Sequence, residues 1–274
     1  MASILTNTSA IVALQTLRSV NSNLETTQSQ ISTGKRVNSA ADNAASFAIS
    51  KVMESDVAGF RAISESLSLG ESTVAVGLAG AEQITDILLQ IKERVVAATG
   101  ENVDNAKIAA DVDELKNRIT SIIGAAQFNG ANLLNTAGGD ITVLSSLDRD
   151  STGAVTASEI TVGSVDFEAN LDLSTIDVSD SAAADTSLGA IETLIQTSID
   201  GSAALGASLN RIQGQSEFVG RLTDALRTGI GALVDADLEE ASARLQALQV
   251  QQQLGIQALS IANQQPQNIL ALFR

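Results

Sequence analysis

The chain has 274 residues, 44% of them apolar, yet only six aromatics (all Phe), one proline and 20 glycines, and its net charge is −16. The absence of Cys and His removes thiol nucleophiles, Cys/His zinc sites, Ser-His-Asp triads and histidine acid/base pairs, and the acidic balance lacks the basic patches that nucleic acid requires. Small aliphatic residues in place of bulky rings suit long helices packed side by side, so the expected class is mainly α.

At the N-terminal end Ala10, Leu17, Leu24 and Ile31 repeat every seven residues, with Leu14 on the same side and Ile4 and Ile11 in a second stripe. Gly34 and Lys35-Arg36 then read as a helix C-terminus, where Gly and basic residues are favoured, and also as a hinge with a basic linker. Residues 45–97 are predicted helical, with Ile84, Leu88, Ile91 and Val95 on one face and a break at Thr99-Gly-Glu-Asn. Residues 105–127 carry Ile108, Val112, Leu115, Ile119, Ile122 and Ala126 in amphipathic order.

The period then changes. Ile141-Thr-Val-Leu and the run from Ile160 to Phe167 are β-type and flank a Gly/Asp/Ser/Thr-rich turn, which predicts a hairpin. Within that turn Asp148, Asp150, Gly153 and Glu159 fall at positions 1, 3, 6 and 12 of an EF-hand loop. Thr152 is a poor ligand at position 5, and strand-like flanks cannot aim ligands as helices do, so an acidic hairpin turn is the plainer reading. Residues 172–187 are acidic and small, an expected exposed loop. From Ala182 or Leu188 to Asn263 the chain is predicted helical again, with interruptions near Gly229-Ile-Gly231 and Asp235-Ala-Asp237. Leu238, Ala241, Leu245, Leu248, Gln252, Gly255, Leu259 and Ala262 follow alternating steps of three and four, a coiled-coil seam. No apolar run approaches the roughly 18 residues of a membrane span, and Met1-Ala-Ser-Ile-Leu does not open an ordinary secretory signal. Neither a membrane nor a cofactor is expected.

Charge is unevenly placed. Residues 245–273 carry none at all, and the first 34 carry only Arg18 and Glu25, whereas 136–190 hold ten acidic residues and one basic. A solvated helix puts charges on its outer face. These arms do not, so both their faces are expected to meet protein, where uncharged amides and hydroxyls enter without desolvating an ion. A Gln-rich disordered tail is the alternative, and it suits a free arm with one bare face. Two matching helical arms around an acidic middle predict a helical hairpin or coiled-coil rod with a small β excursion.

Three stretches resemble the bacterial flagellins. Ile31-Ser-Thr-Gly-Lys-Arg-Val-Asn-Ser-Ala-Ala-Asp-Asn-Ala-Ala45, Gln127-Phe-Asn-Gly-Ala-Asn-Leu-Leu134 and Ala262-Asn-Gln-Gln-Pro-Gln-Asn-Ile-Leu-Ala-Leu-Phe-Arg274 are similar to that family's motifs and stand in the family's order. The resemblance implies a non-enzymatic subunit that self-assembles into the flagellar filament for swimming. Residues 1–34 and 236–274 would form the terminal coiled-coil inner-tube domain, 35–135 and 188–235 a helical outer layer, and 136–187 a short acidic β-hairpin region.

It implies a homopolymer, with an export chaperone, junction and cap proteins as further partners, and export through the flagellar channel itself. The expected polymer interface is Ile4, Ile11, Leu17, Leu24, Ile31, Leu238, Leu245, Leu248, Leu259, Ile269, Leu270, Leu272 and Phe273. Leu89, Gln90, Lys92 and Glu93 lie where flagellins recognised by an animal innate immune receptor carry an Arg-rich face, and an amide at Gln90 cannot reproduce a guanidinium's two-pronged contact. A hook–filament junction protein and a secreted calcium-binding adhesin are the competing readings.

Overall fold

The computed structural model describes residues 7–150 and 152–272, with 265–272 as backbone only. It is mainly α: α1 (Thr8–Thr33), α2 (Ala44–Ala98), α3 (Asn105–Ala125), β1 (Gln127–Phe128), β2 (Ala131–Asn132), β3 (Ile141–Arg149), β4 (Val155–Val162), α4 (Phe167–Asn170), α5 (Ser181–Val234) and α6 (Leu238–Leu272). Two compact units result, Met1–Ser55 with Ala225–Arg274, and Asp56–Asp224.

The second unit is organised by heptads. In α2 every position from Phe60 to Ala98 taken in alternating steps of three and four (60, 63, 67, 70 and so on) is buried, a 3.5-residue period that keeps one stripe facing a partner helix. In α5 the same steps give buried Ala184, Ser187, Ile191, Leu194, Ser198, Gly201 and Leu205. The helices run antiparallel, since Lys92 pairs with Glu192, Thr85 with Ser198 and Glu71 with Gln213. Each fully buried Ile or Leu on these stripes contributes about 1.5–3 kcal/mol. One 18-residue window of α2 reaches a mean hydropathy of 1.3, so, contrary to the sequence reading, its length and composition would suffice for a membrane. Of that window 44% is buried inside the protein.

The β excursion seats on glycines of these helices. A Cβ at Gly59 would collide with Leu147, and one at Gly70 would come within 2.5 Å of Val143. Arg149 pairs with Asp56, the Ser66 hydroxyl accepts from Leu144 N–H at 3.2 Å, and Gln215 donates to the Ser145 carbonyl at 2.8 Å. β3 and β4 form the expected antiparallel hairpin, with a bulge between Leu144 and Ser146.

Three expectations need correction. The run 172–187 is not an exposed loop: Ile176, Val178, Ala184 and Ser187 are buried, and the Ser187 hydroxyl both accepts from Asp177 N–H and donates to its carbonyl, each at 2.8 Å. Its acidic side chains close local turns, as Asp172 does by accepting from Ser174, and this leaves the sparse apolar residues free to point inward. The helix passes unbroken through Gly229-Ile-Gly231, because two glycines lower helix propensity by only about 1 kcal/mol each, and it stops at Asp235-Ala-Asp237. Finally, β1 and β2 form an additional two-residue hairpin. Its turn is Asn129 (φ 49°) and Gly130 (φ 86°), the residue pair a type I′ turn demands.

Candidate assembly surface

The first unit is built on α1 and α6. Asn7 caps α1 by accepting from Ala10 N–H at 3.1 Å, and its amide donates to the Ala262 carbonyl at 2.7 Å, so one side chain both starts one helix and ties it to the other. Gly34, with φ 69°, ends α1 in the left-handed conformation, its N–H reaching the Gln30 carbonyl at 2.9 Å. The linkers then pair: Arg36 N–H donates to the Val234 carbonyl at 2.7 Å and Ala236 N–H to the Gly34 carbonyl at 2.9 Å. Asp237 caps α6 through the Glu239 and Glu240 amides at 3.0 and 3.1 Å. The helix terminus and the linker readings of Gly34 to Arg36 thus describe the same few residues.

The seam of α1 is Ala10, Ala13, Leu17, Val20, Leu24, Thr27 and Ile31, all buried or half-buried. Leu14, expected on this side, is 38% exposed; the alternating step places Ala13 there, and Leu14 is about 100° further round the helix. On α6, Ala241, Leu245, Leu248, Gln252, Gly255, Leu259 and Ala262 are covered. Leu238, in the first turn, is exposed. Leu17 packs where a Cβ on Gly255 would stand 3.2 Å from its Cδ1, and Gln252 donates to the Asn21 amide oxygen at 2.8 Å. Thr27, which the apolar pattern passed over, is buried with its hydroxyl donating to the Asn23 carbonyl at 2.8 Å. A polar residue that satisfies itself on its own helix leaves no hydrophobic signal.

Six of the residues expected at a polymer interface, Leu17, Leu24, Ile31, Leu245, Leu248 and Leu259, therefore sit on the seam between α1 and α6. Ile11 does not: it is 59% exposed, beside Val12 at 62%. On α6, Val250, Leu254, Ile256 and Ile261 are also exposed, the last at 68%. Of these the seven-residue repeat points only to Ile11; for Val250, Leu254, Ile256 and Ile261 the signal in the sequence is the absence of charge from 245 to 273. An open groove of about 690 Å³, lined by Thr8, Ser9, Val12, Ala13, Ala258, Ile261, Ala262 and Gln264, joins the two helices' outer stripes. Ile4 and Phe273 lie outside the described residues, and of Ile269, Leu270 and Leu272 only the helical backbone is described.

In the other unit, Leu89, Gln90 and Glu93 are exposed on α2, while Lys92 is held in an ion pair by Glu192 of α5 at 2.5 Å. Gln90, Glu93 and Arg94 share a cleft of about 410 Å³ with Asp111, Glu114 and Leu115 of α3. The EF-hand spacing folds as a β-hairpin. Asp148 stands on β3 and accepts from Ser146 and Ser158 at 3.0 and 2.7 Å. Asp150 closes the turn by accepting from Thr152 N–H, its hydroxyl, and Ala154 N–H, so its carboxyl is held below its ordinary value, foremost by the Thr152 hydroxyl. Among the described residues no group of three acidic side chains converges as a metal site.

Residues 4–138 match a family profile described as the bacterial flagellin N-terminal helical region, and residues 188–273 the bacterial flagellin C-terminal helical region. The chain is 42% identical over 277 residues to flagellin FljM of Caulobacter vibrioides, spanning 99% of this chain and 98% of that one. It is also 42% identical over 282 residues to a flagellin of Brucella melitensis, spanning all of both. The crystal structure of Bacillus cereus flagellin aligns with 55% of this chain and 86% of its own, at 26% identity and a TM-score of 0.49.

Proposed function

The chain belongs to the bacterial flagellins, and from that premise we propose which of its surfaces build the filament. It is a structural subunit of the extracellular flagellar filament that assembles with copies of itself and serves swimming motility. Its polymer contacts are carried by the outward stripe of the α1–α6 hairpin, Ile11 and Val12 on α1 and Leu254 and Ile261 on α6, with the exposed Ile256 on the flank of α6, about 200° round from Leu254. Ile4, seven residues before Ile11, and Ile269, Leu270, Leu272 and Phe273 continue these stripes in sequence.

The seam residues Leu17, Leu24, Ile31, Leu245, Leu248 and Leu259 act indirectly. They hold the two helices together so that the outward stripe is presented as one surface. Leu238 contributes at the first turn of α6. In this reading the segments 1–34 and 236–274 line the inner tube, residues 35–135 and 188–235 make the outer helical layer, and 136–187 lie outermost. The export chaperone binds the same charge-free arm before assembly, the junction and cap proteins meet its ends in the filament, and the subunit leaves the cell through the flagellar channel.

The observation that supports this reading is the coincidence of large exposed apolar side chains with an arm that carries no charge over 29 residues. In a lone molecule such a face would be solvated at a cost. Each Ile or Leu covered by a neighbour contributes about 1.5–3 kcal/mol, which offsets the entropy of ordering the arms. The test is Ile261→Asp, an outward position that leaves the seam untouched. Electron microscopy should find no filaments, while circular dichroism of the monomer stays at the unmutated value; filaments of normal length from this variant would reject the assignment.

A further inference from the structure

We propose that Asn129-Gly130 is a site of spontaneous deamidation in the folded protein, a covalent ageing site with water as the only co-reactant. It is the one Asn-Gly pair in the chain, and both residues are exposed at the tip of the β1–β2 turn. The reaction needs a free carboxamide, a free backbone nitrogen after it, and no side chain in the way. The Asn129 carboxamide has no hydrogen-bond partner among the described residues, whereas the neighbouring amides are engaged. Asn132 donates to the Ile123 carbonyl at 2.7 Å and accepts from Leu134 N–H at 2.8 Å, and Asn135 accepts from Gly138 N–H at 2.8 Å. In a β-turn the closing hydrogen bond uses the N–H of the fourth residue, so that of Gly130, the third, is left out of it. Nothing stands within 4 Å of where a Gly130 Cβ would be, and Gly has no side chain to obstruct the attack.

The Gly130 nitrogen attacks Cγ of Asn129, and an N–C bond forms as the Cγ–Nδ2 bond breaks. Nδ2 leaves as ammonia with the proton from the Gly130 nitrogen, and a five-membered succinimide remains. Water then opens the ring at one of its two carbonyls. Opening at one restores the ordinary backbone with an aspartate side chain. Opening at the other gives isoaspartate, with the chain routed through the side-chain carbonyl and lengthened by one methylene. Net, one water is consumed, one ammonia is released and one negative charge is added.

The two products differ in consequence. Asp-Gly is as competent for a type I′ turn as Asn-Gly, so the aspartate form keeps β1 paired with β2. A two-residue turn cannot absorb an extra backbone atom, so isoaspartate breaks the Gln127–Asn132 and Phe128–Ala131 pairing. That pairing places Asn132 against the end of α3, and with it the buried Leu133 and Leu134. In an extracellular filament the lesion accumulates with the age of the subunit.

The test incubates the full folded chain in mildly alkaline buffer and maps the tryptic peptide of residues 119–149, with fragmentation that separates aspartate from isoaspartate. Asn129 should deamidate at least about tenfold faster than Asn132 or Asn135 in the same peptide, a gap of about 1.4 kcal/mol in barrier. Hydrogen exchange should then show lost protection at residues 131–134 in the isoaspartate fraction and normal protection in the aspartate fraction. Asn129→Gly, which keeps a turn of the same type, should abolish both signals. An Asn129 that survives as long as Asn135, or that deamidates only in denaturant, overturns the proposal.

Discussion

Gln252 donates to the amide oxygen of Asn21 at 2.8 Å, joining two residues 231 positions apart along the mainly apolar seam. A half-buried amide pair has little to gain in free energy over two leucines. It fixes register, because sliding either helix by one turn leaves both amides unpaired. Asn21→Leu should therefore lower the melting temperature of assembled filaments, with a loss of about 1 kcal/mol from the unpaired Gln252. The Asn21→Leu/Gln252→Leu pair should recover that loss. An additive double-mutant cycle would show that the two amides do not communicate.

The Thr85 and Ser198 hydroxyls meet at 2.8 Å, and Thr85 also donates to the Ala81 carbonyl at 3.0 Å. With the Thr85 proton committed there, Ser198 is the donor between the two. Thr85→Ala strands a fully buried Ser198 hydroxyl and should cost about 1–3 kcal/mol, whereas Ser198→Ala removes a donor from a Thr85 that keeps its own bond and should cost less. Urea unfolding of the two single variants compares them directly, and the reverse order would contradict this assignment of donor and acceptor.

Gly70 makes room for Val143. In the natural background Gly70→Ala sets a Cβ against both Val143 methyls, at 2.5 and 2.9 Å, and overpacking of that kind costs about 1–3 kcal/mol. In a Val143→Ala background both methyls are gone and only the Cβ of residue 143 stays close, at 3.3 Å, which a shift of a few tenths of an ångström relieves, so helix propensity wins and the same change should stabilise by up to about 1 kcal/mol. A change of sign between backgrounds, read from thermal unfolding, is the expected result.

Several carboxyls are held below their ordinary value of 3.8 by turn hydrogen bonds: Asp42 foremost by Ser39 N–H, Asp150 by the Thr152 hydroxyl, Asp172 by that of Ser174. A carboxyl lowered on folding adds stability that is fully present above its unfolded value and is lost as pH falls through the lower, folded one. The protein should thus weaken only in acid, below the usual carboxylate range, and Asp150→Asn should flatten part of that slope. Titration of the unfolding midpoint against pH checks both. A midpoint that instead falls between neutral and mildly acidic pH would contradict it, since the chain has no histidine.

At the α2 face, the family resemblance leads us to expect Gln90 where receptor-activating flagellins carry Arg, and Lys92 is engaged by Glu192. The chain should activate the innate receptor weakly in a cell reporter, and Gln90→Arg should raise the response by restoring a bidentate donor. A strong response from the unaltered protein would reject this.

The sequence by itself determined the helical class and the terminal arms, because a 3.5-residue apolar repeat has only one regular backbone that keeps it on one side. It also determined the family motifs and the hairpin of β3 and β4, and the lack of charge set the arms apart from the acidic middle. Tertiary structure decided the arm positions where the apolar repeat was ambiguous. Leu14 and Ala13 differ by one position, and only the neighbouring helix makes one of them seam and the other surface. It likewise decided that residues 172–187 are packed, since their few apolar side chains have no period and gain meaning only from the helices they meet. Burial depends on a partner surface, and a partner distant in sequence leaves no mark on the local pattern of residues.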